Sequence, residues 1–412
     1  MRLLQCGVAF SPNVGDGLIA SCMAYGLERL MPGAEMRSLD LAGREGFAAP
    51  IRGSARGGLM GRAGALRVLR ELPGPARRFA VRTHLLRRLA AIEPQWTEMV
   101  AEADAVIIGG GQLFADADLN FPLKIGRLAQ ILAAAGVPVA IHAAGATARW
   151  SDEGAGLFGA LEQTALVGVG LRDDRSIQHW REEAGFGPAP RLALDPGLLT
   201  ADAFPSPPPA PDAPIGLGIA DSTLLAYHAE GGVAGGDIGF QAALAAALAG
   251  GEDGGAVLLF CNGAEEDARA LDRVFAHPLL SSLVQSGRVR AAPRPLTPEA
   301  LARTVAGCRG IIAHRLHALI AAHAYARPTL ALGWDEKVAS FHALAGRGAY
   351  TVTDPSVTPD ATAAIARLAL RHPVDLAARA ALADSALADL AETLALLGVV
   401  AASPLGAAGQ VA

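Results

Sequence analysis

Lysine is almost missing from this chain. Lys124 and Lys337 are the only two, so arginine supplies nearly all of the 35 basic residues. Cysteine is also scarce. The four thiols, Cys6, Cys22, Cys261 and Cys308, are scattered and form no C-x-x-C pair. That argues against a structural zinc or a disulfide framework and fits a reducing compartment. No uninterrupted apolar run approaches the ~20 residues of a membrane-spanning helix. The opening M-R-L-L-Q-C-G-V-A-F is too short in its apolar part for a signal peptide and has no small-residue cleavage site. A cytoplasmic protein is expected. There is no G-x-G-x-x-G fingerprint and no Walker loop. No cluster of metal-ligand spacing is visible, so neither a metal nor a bound cofactor is expected. With a net charge of −5, the composition gives no general case for nucleic acid.

The chain has 412 residues, 51% of them hydrophobic, enough for two or three domains with sizeable cores. One local exception to the acidic balance stands out. Residues 52–88 hold ten arginines against a single acid, Glu71. A solvated helical insertion explains this, and so does a patch for anionic lipid headgroups or a diphosphate-linked acceptor at the inner face of a membrane.

Strands and helices alternate along the chain. Leu3–Phe10 reads as a first strand, followed by a glycine-containing loop, Ser11–Gly17, and a helix from Leu18 to Leu30. Such a loop exposes backbone N–H groups to a phosphate or a sugar hydroxyl, but glycine also serves ordinary tight turns. Residues 43–76 lack period, and 77–103 read as helix. Asp104–Ile108 is a strand running into Gly109, Gly110 and Gly111, where the backbone can approach a ligand or a neighbouring element. Further strands are expected at 138–142 and 167–170. Arg172 stands at the end of the latter, with Asp173 and Asp174 in the next helix's first turn. The proline-rich run Phe204–Pro214 cannot join a sheet interior. It divides the chain into a first α/β domain (1–203, with an arginine-rich insertion at about 43–88), a linker (204–214), a second α/β domain (215–355) and a helical tail (356–412). Two such halves imply an interdomain cleft, the usual place for a ligand.

In the second half, the stretch Cys308–Phe341 concentrates chemistry. Gly310–Ala313 is a strand, then come His314, Arg315 and His317, a helix over 318–326, a strand over 329–333, and Trp334, Asp335 and Lys337. Helix N-termini at strand ends attract anions. Arg315 can bind carboxylate or phosphate with two parallel bonds, and His317 can give or take a proton near neutral pH. The two can share a pocket only if Arg315 lies in the turn and His317 in the first helical positions. His314, His323 and His342 read as packing residues. Asn13 and Asp16 either cap the first helix or touch a substrate.

These motifs resemble the polysaccharide pyruvyl transferases. The resemblance runs from about Asn13 to Phe341. It is carried by Asn13-Val-Gly-Asp16, D-A-V-I-I-G-G-G at 104–111, Arg172 with Ser176, Asp195-Pro196, and above all Arg315-Leu316-His317 followed by Gly333 and Lys337. It implies two Rossmann-like halves similar to glycosyltransferase-B enzymes. It also implies phosphoenolpyruvate as co-substrate and a sugar or lipid-linked oligosaccharide with two free hydroxyls as acceptor. By resemblance, His317 is the acid/base. Arg315, Arg172, Lys337 and Leu316 face the donor, and Asn13, Gly15, Asp16, Gly110 and Gly111 face the acceptor. Two departures stand out. Ala143–Ala146 replaces a serine-containing loop ending in Gly-Pro, and Asp221 follows a strand where an arginine is frequent. The competing readings are a nucleotide-sugar glycosyltransferase of the same fold and a non-catalytic glycan- or donor-binding relative.

Overall fold

A computed structural model describes residues 1–47, 73–223, 225, 233–250 and 254–399. Arg52, Arg56, Arg62, Arg67 and Arg70 of the arginine-rich stretch lie outside the described residues. Two six-stranded parallel sheets with flanking helices make up the chain, the α/β class of two Rossmann-like halves that the sequence leads one to expect. Strands of parallel sheets are buried on both faces, which is why their segments are short continuous apolar runs.

The chain divides into two compact units. The first comprises Met1–Phe10, Gly26–Asp195 and Ala388–Ala412, and the second Ser11–Tyr25 and Pro196–Leu387. The division therefore falls at Asp195-Pro196, ahead of the proline-rich run, and residues 196–203 go with the second unit. Residues 205–214 carry no helix or strand, as missing N–H donors dictate.

In the first unit the strand order is β2-β1-β3-β4-β5-β6, with β1 Arg2–Gly7, β2 Glu35–Asp40, β3 Ala105–Phe114, β4 Pro138–Ala146, β5 Ala165–Leu171 and β6 Pro190–Leu192. Helix α1 (Val14–Leu30) follows β1, α2 (Gly74–Ala101) follows β2, and α3 (Asn120–Ala135), α4 (Asp152–Gly159) and α5 (Asp174–Glu183) link the later strands. Asp173 is the N-cap of α5, its carboxylate accepting the Ser176 N–H at 2.7 Å. An aromatic cluster anchors this unit's core. Phe114 meets Trp180 edge-on with centroids 4.9 Å apart, and Trp150 lies 4.6 Å from Phe158. Each such pair adds about 0.5–1.5 kcal/mol beyond its burial. The described part of the arginine-rich stretch spends cations internally. Arg77 pairs with Asp118 at 3.1 Å, Arg82 pairs with Glu153, and Arg88 donates to the Ala42 carbonyl.

The second unit has the order β12-β11-β10-β7-β8-β9, with β7 Ile215–Gly218, β8 Val257–Phe260, β9 Val289–Ala291, β10 Gly310–Ala313, β11 Thr329–Leu332 and β12 Thr351–Val352. Its helices are α6 (Ile238–Ala249), α7 (Glu265–Phe275), α8 (Pro298–Ala306), α9 (Leu316–Ala324), α10 (Glu336–Leu344) and α11 (Pro359–Arg371); α12 (Leu376–Leu396) closes the described chain. Strands β7, β8 and β9 build outward in one direction, and β10 returns to the other side of β7. The β7/β10 junction is thus the topological switch point, where loops from the two carboxyl ends part and leave a crevice. No helix among the described residues is long and apolar enough to cross a membrane.

Candidate functional site

The carboxyl end of β10 supplies the first two groups. Arg315 is the N-cap residue of α9, with extended backbone (φ −79°, ψ 117°), and His317 is the second residue of the helix. This is the arrangement that lets a residue pair two apart face one region. The helix begins at Leu316, two residues before the expected Ala318. Leu316 is buried at its first position. Leu316 and His317 occupy the first two helical positions, whose N–H groups have no partner within a helix.

Arg315 is not a loose cation waiting for an anion. Its Nε and Nη2 donate to the two oxygens of Asp267, at 3.0 and 2.7 Å. Asp267, in the first turn of α7, is completely buried and also accepts the Asp221 N–H at 2.9 Å. Burial works against the guanidinium's charge, but Asp267 outweighs it, with Asp16 and Asp221 adding to the effect, so the Arg315 pKa is raised. The pair uses two of the five guanidinium N–H groups and leaves the opposite edge for a second bidentate partner. At Asp221 this chain thus contributes a carboxylate to Arg315's surroundings, where a further cation is frequent in the family it resembles.

The third component comes from the start of α1. The sequence suggests a glycine loop through Gly17, but the helix begins at Val14, which puts Gly15 and Asp16 in its first turn. One tertiary and one local bond account for this: Val14 N–H is taken by the Asn262 carbonyl at 2.8 Å and Asp16 N–H by the Asn13 carbonyl at 3.0 Å. Asn13 stands just before the helix, yet its Oδ1 caps no N–H. It is buried without a partner, while Nδ2 donates to Asp16 at 3.4 Å. Asp16 Oδ1 lies 3.8 Å from His317 Nδ1, an ion-pair distance when the ring is protonated. Gly15 is what admits this approach. A Cβ there would sit 2.9 Å from both Cβ and Nδ1 of His317 and 3.2 Å from Asn262 Nδ2.

Lys337 belongs to the neighbouring strand end. Its ammonium pairs with Asp335 at 2.7 Å and lies over the Trp334 ring, 4.7 Å from the centroid. The Trp334 indole N–H donates to the His314 carbonyl at 2.7 Å, which ties the β11 loop to the β10 loop. His314, His323 and His342 are buried, as packing residues should be. Burial pushes each imidazole down to about 4.

Arg172, Gly110 and Gly111 lie in the first unit. Arg172 follows β5 and is buried; it donates to Gln112 through Nη2 and to Asp173 through Nε at 3.3 Å. Gly145 faces this pair, and a Cβ on it would lie 2.6 Å from Gln112 and 2.7 Å from Arg172 Nη2. Within the Ala143–Ala146 stretch, then, the position facing Arg172 cannot carry a side chain. The glycine run at 109–111 is part of β3 rather than a loop after it. Gly109 is forced by its neighbour, since a Cβ would meet the His142 carbonyl at 2.1 Å. Gly110 and Gly111 take φ of 77° and 94°, just ahead of the register shift between Gly111 and Phe114.

Sequence reasoning missed Asp267, Asn262 and Gln112. Asp267 reads as an ordinary first-turn acid of a well-marked helix. Asn262 stands just past a strand end, the position that signals a ligand loop, but a lone neutral amide draws no attention. Among the described residues, no group of three or more His, Cys, Asp or Glu is arranged to hold a metal ion.

Comparison with known proteins adds three findings. The family model for polysaccharide pyruvyl transferase matches residues 13–336. No curated protein matches the chain. Among solved structures, UDP-GlcNAc 2-epimerase from Methanocaldococcus jannaschii aligns with a TM-score of 0.55 at 9% identity, over 91% of this chain and 94% of that one. The S. aureus MnaA–UDP co-structure aligns with a TM-score of 0.52 at 10% identity, over 97% and 98%. Likeness at such identities establishes the fold, two consecutive α/β halves.

Proposed function

The chain belongs to the polysaccharide pyruvyl transferase family and is a transferase, and from that premise we propose that it moves the pyruvate unit of phosphoenolpyruvate onto two hydroxyls of one sugar, in a surface polysaccharide or its precursor, as a cyclic ketal. The observation that carries the reading is the Arg315-Leu316-His317 turn, inside the matched span and at the switch point of the second sheet.

Phosphoenolpyruvate needs a proton on its methylene carbon before its neighbouring carbon becomes electrophilic. His317 gives that proton and Asp16 orients the ring. The first sugar hydroxyl adds to the electrophilic carbon and returns its proton to His317. The C–O bond to phosphate breaks, the second hydroxyl closes the ring, and its proton leaves with the phosphate. Arg315, held from behind by Asp267, offers its remaining edge to the donor's carboxylate or phosphate, together with the first N–H groups of α9. Arg172, held by Gln112 and Asp173, and Lys337 are the further donor-side cations of this proposal. Asn13, Gly15 and Asp16 of the second unit are its acceptor contacts, and Gly110 and Gly111 are those assigned to the first unit. A general acid of this kind contributes roughly two to four orders of magnitude in rate.

The test is phosphate release from phosphoenolpyruvate in the presence of free and lipid-linked glycans, with the ketal identified by mass. Release of nucleoside diphosphate from a sugar nucleotide instead would replace this reading with glycosyl transfer. His317→Ala should fold normally and lose transfer by at least about a hundredfold; unchanged turnover would remove His317 from the mechanism. One acid and fixed cations suffice for this chemistry, so turnover should survive chelation of divalent ions. Work at the inner face of an anionic membrane through the 52–88 stretch is part of the proposal; sedimentation with phosphatidylglycerol vesicles tests it.

A further inference from the structure

We propose that Asn262 grips the hydroxyl groups of the acceptor sugar beside His317; this rests on the pyruvyl-transfer reading above and names the residue that reading lacks. The turn from β8 to α7 holds Asn262 rigidly. Its carbonyl accepts the Val14 N–H at 2.8 Å, and the next carbonyl, of Gly263, accepts from Arg294 Nε at 2.7 Å. Gly263 has φ of 96°, and a Cβ there would meet the Pro295 and Pro12 carbonyls at 2.7 and 2.9 Å. The side chain is 1% exposed, yet among the described residues neither Nδ2 nor Oδ1 has a hydrogen-bond partner.

Folded chains seldom leave a buried amide unsatisfied at both ends, because the desolvation is not recovered. A ligand is the missing partner. A Cβ on Gly15 would stand 3.2 Å from Nδ2 of Asn262 and 2.9 Å from Nδ1 of His317, which puts the amide and the imidazole side by side over Gly15. Asn13 Oδ1, one residue before the Val14 N–H that Asn262 accepts, is a second buried acceptor without a partner. The chemistry of the ligand follows from the amide. It donates and accepts at once, and a hydroxyl does the same. A carboxylate or phosphate would satisfy Nδ2 but set its oxygens against Oδ1, in a neighbourhood that already gathers Asp16, Asp221 and Asp267 around Arg315. A neutral diol fits where a second anion does not.

The experiment is a binding titration that needs no turnover. Full-length wild type, Asn262→Ala and Asn262→Gln are titrated by saturation-transfer NMR with methyl β-D-galactopyranoside, methyl β-D-glucopyranoside and methyl α-D-mannopyranoside, and by calorimetry with phosphoenolpyruvate. Asn262→Ala should weaken hexoside binding about tenfold or more, leave phosphoenolpyruvate affinity within about twofold, and leave the thermal midpoint of the ligand-free protein unchanged or raised. Asn262→Gln, which keeps the amide, should recover part of the binding. Weakened phosphoenolpyruvate with intact hexoside binding, unchanged affinity for both, or no hexoside binding by wild type overturns the proposal. So does a lowered midpoint, which would mean that the amide supports the fold. If wild type binds a hexoside through Asn262 but releases no phosphate, the pyruvyl-transfer reading fails and this inference stands. If it turns over with an unaltered acceptor KM in Asn262→Ala, the reverse holds.

Discussion

Replacing Asp267 by asparagine should cost the second unit far more than a surface charge would. The carboxylate is completely buried and accepts three hydrogen bonds, two of them from the Arg315 guanidinium. Removing one partner of a buried ion pair strands the other and costs about 3–5 kcal/mol. The Arg315 side chain is 15% exposed and can recover some hydration, which places Asp267→Asn at about 3 kcal/mol. Arg315→Ala leaves a carboxylate with no exposure and a single backbone donor, which places it at about 4–5 kcal/mol. An apolar pair, Asp267→Leu with Arg315→Met, removes both charges and should recover most of the loss. The assay is urea denaturation by circular dichroism, with hydrogen–deuterium exchange on peptides 257–275 and 310–324 to assign the loss. A double-mutant cycle should give a coupling of at least about 2 kcal/mol. Single variants within about 0.5 kcal/mol of wild type, or strictly additive ones, would refute the argument that Arg315 is held from behind.

Two further perturbations follow from distances and burial. Gly15→Ala places a methyl 2.9 Å from both Cβ and Nδ1 of His317. It should lower kcat at least about tenfold, with a far smaller effect on the thermal midpoint; equal activity would show that the ring need not stay where it is. Acid should weaken the second unit more steeply than the first. His314, His323 and His342 are pushed down to about 4 by burial, with nearby arginines assisting, and in the first unit His142 to about 3. The unfolded imidazole titrates at 6.5. Stability is therefore level above that pH and falls as pH drops from 6.5 towards 4, by up to ~1.4 kcal/mol per pH unit for each ring. His323→Leu should make the slope of the thermal midpoint against pH shallower in this window. An unaltered slope would contradict a neutral buried His323.

Much of the second unit could be read in advance. Strand 310–313 is found with the expected bounds and strand 329–333 ends one residue early, at Leu332, because each is a short apolar run between clear stops. β2 escaped notice. It is an edge strand whose residues alternate between exposed and half-buried over its first four positions, so it lacks the continuous apolar run of its neighbours. At the site, Arg315 and His317 were legible as residue types at a strand end. Their controlling partners were not. Asp267 lies 48 positions before Arg315, and Asn262 meets Gly15 only through the fold. Local pattern reveals which side chain can do chemistry; which neighbour restrains it is a matter of tertiary distance. Gly15 shows the same limit. It reads as a loop glycine, and its actual requirement is the bulk of an imidazole from the far end of the chain.

The rarity of lysine turns one contact into an experimental handle. Lys124 is buried in α3, whereas Lys337 reaches partial exposure with its ammonium over the indole of Trp334. Three of the four tryptophans, at 96, 150 and 180, fall in the first unit, so Trp334 is the single indole chromophore of the second. Reductive methylation of accessible amines would thus mark one side chain beside one fluorophore, at the strand ends of the second unit. Against the steady background of the three first-unit indoles, a change in Trp334 emission would follow occupancy of the second sheet's crevice without any added dye.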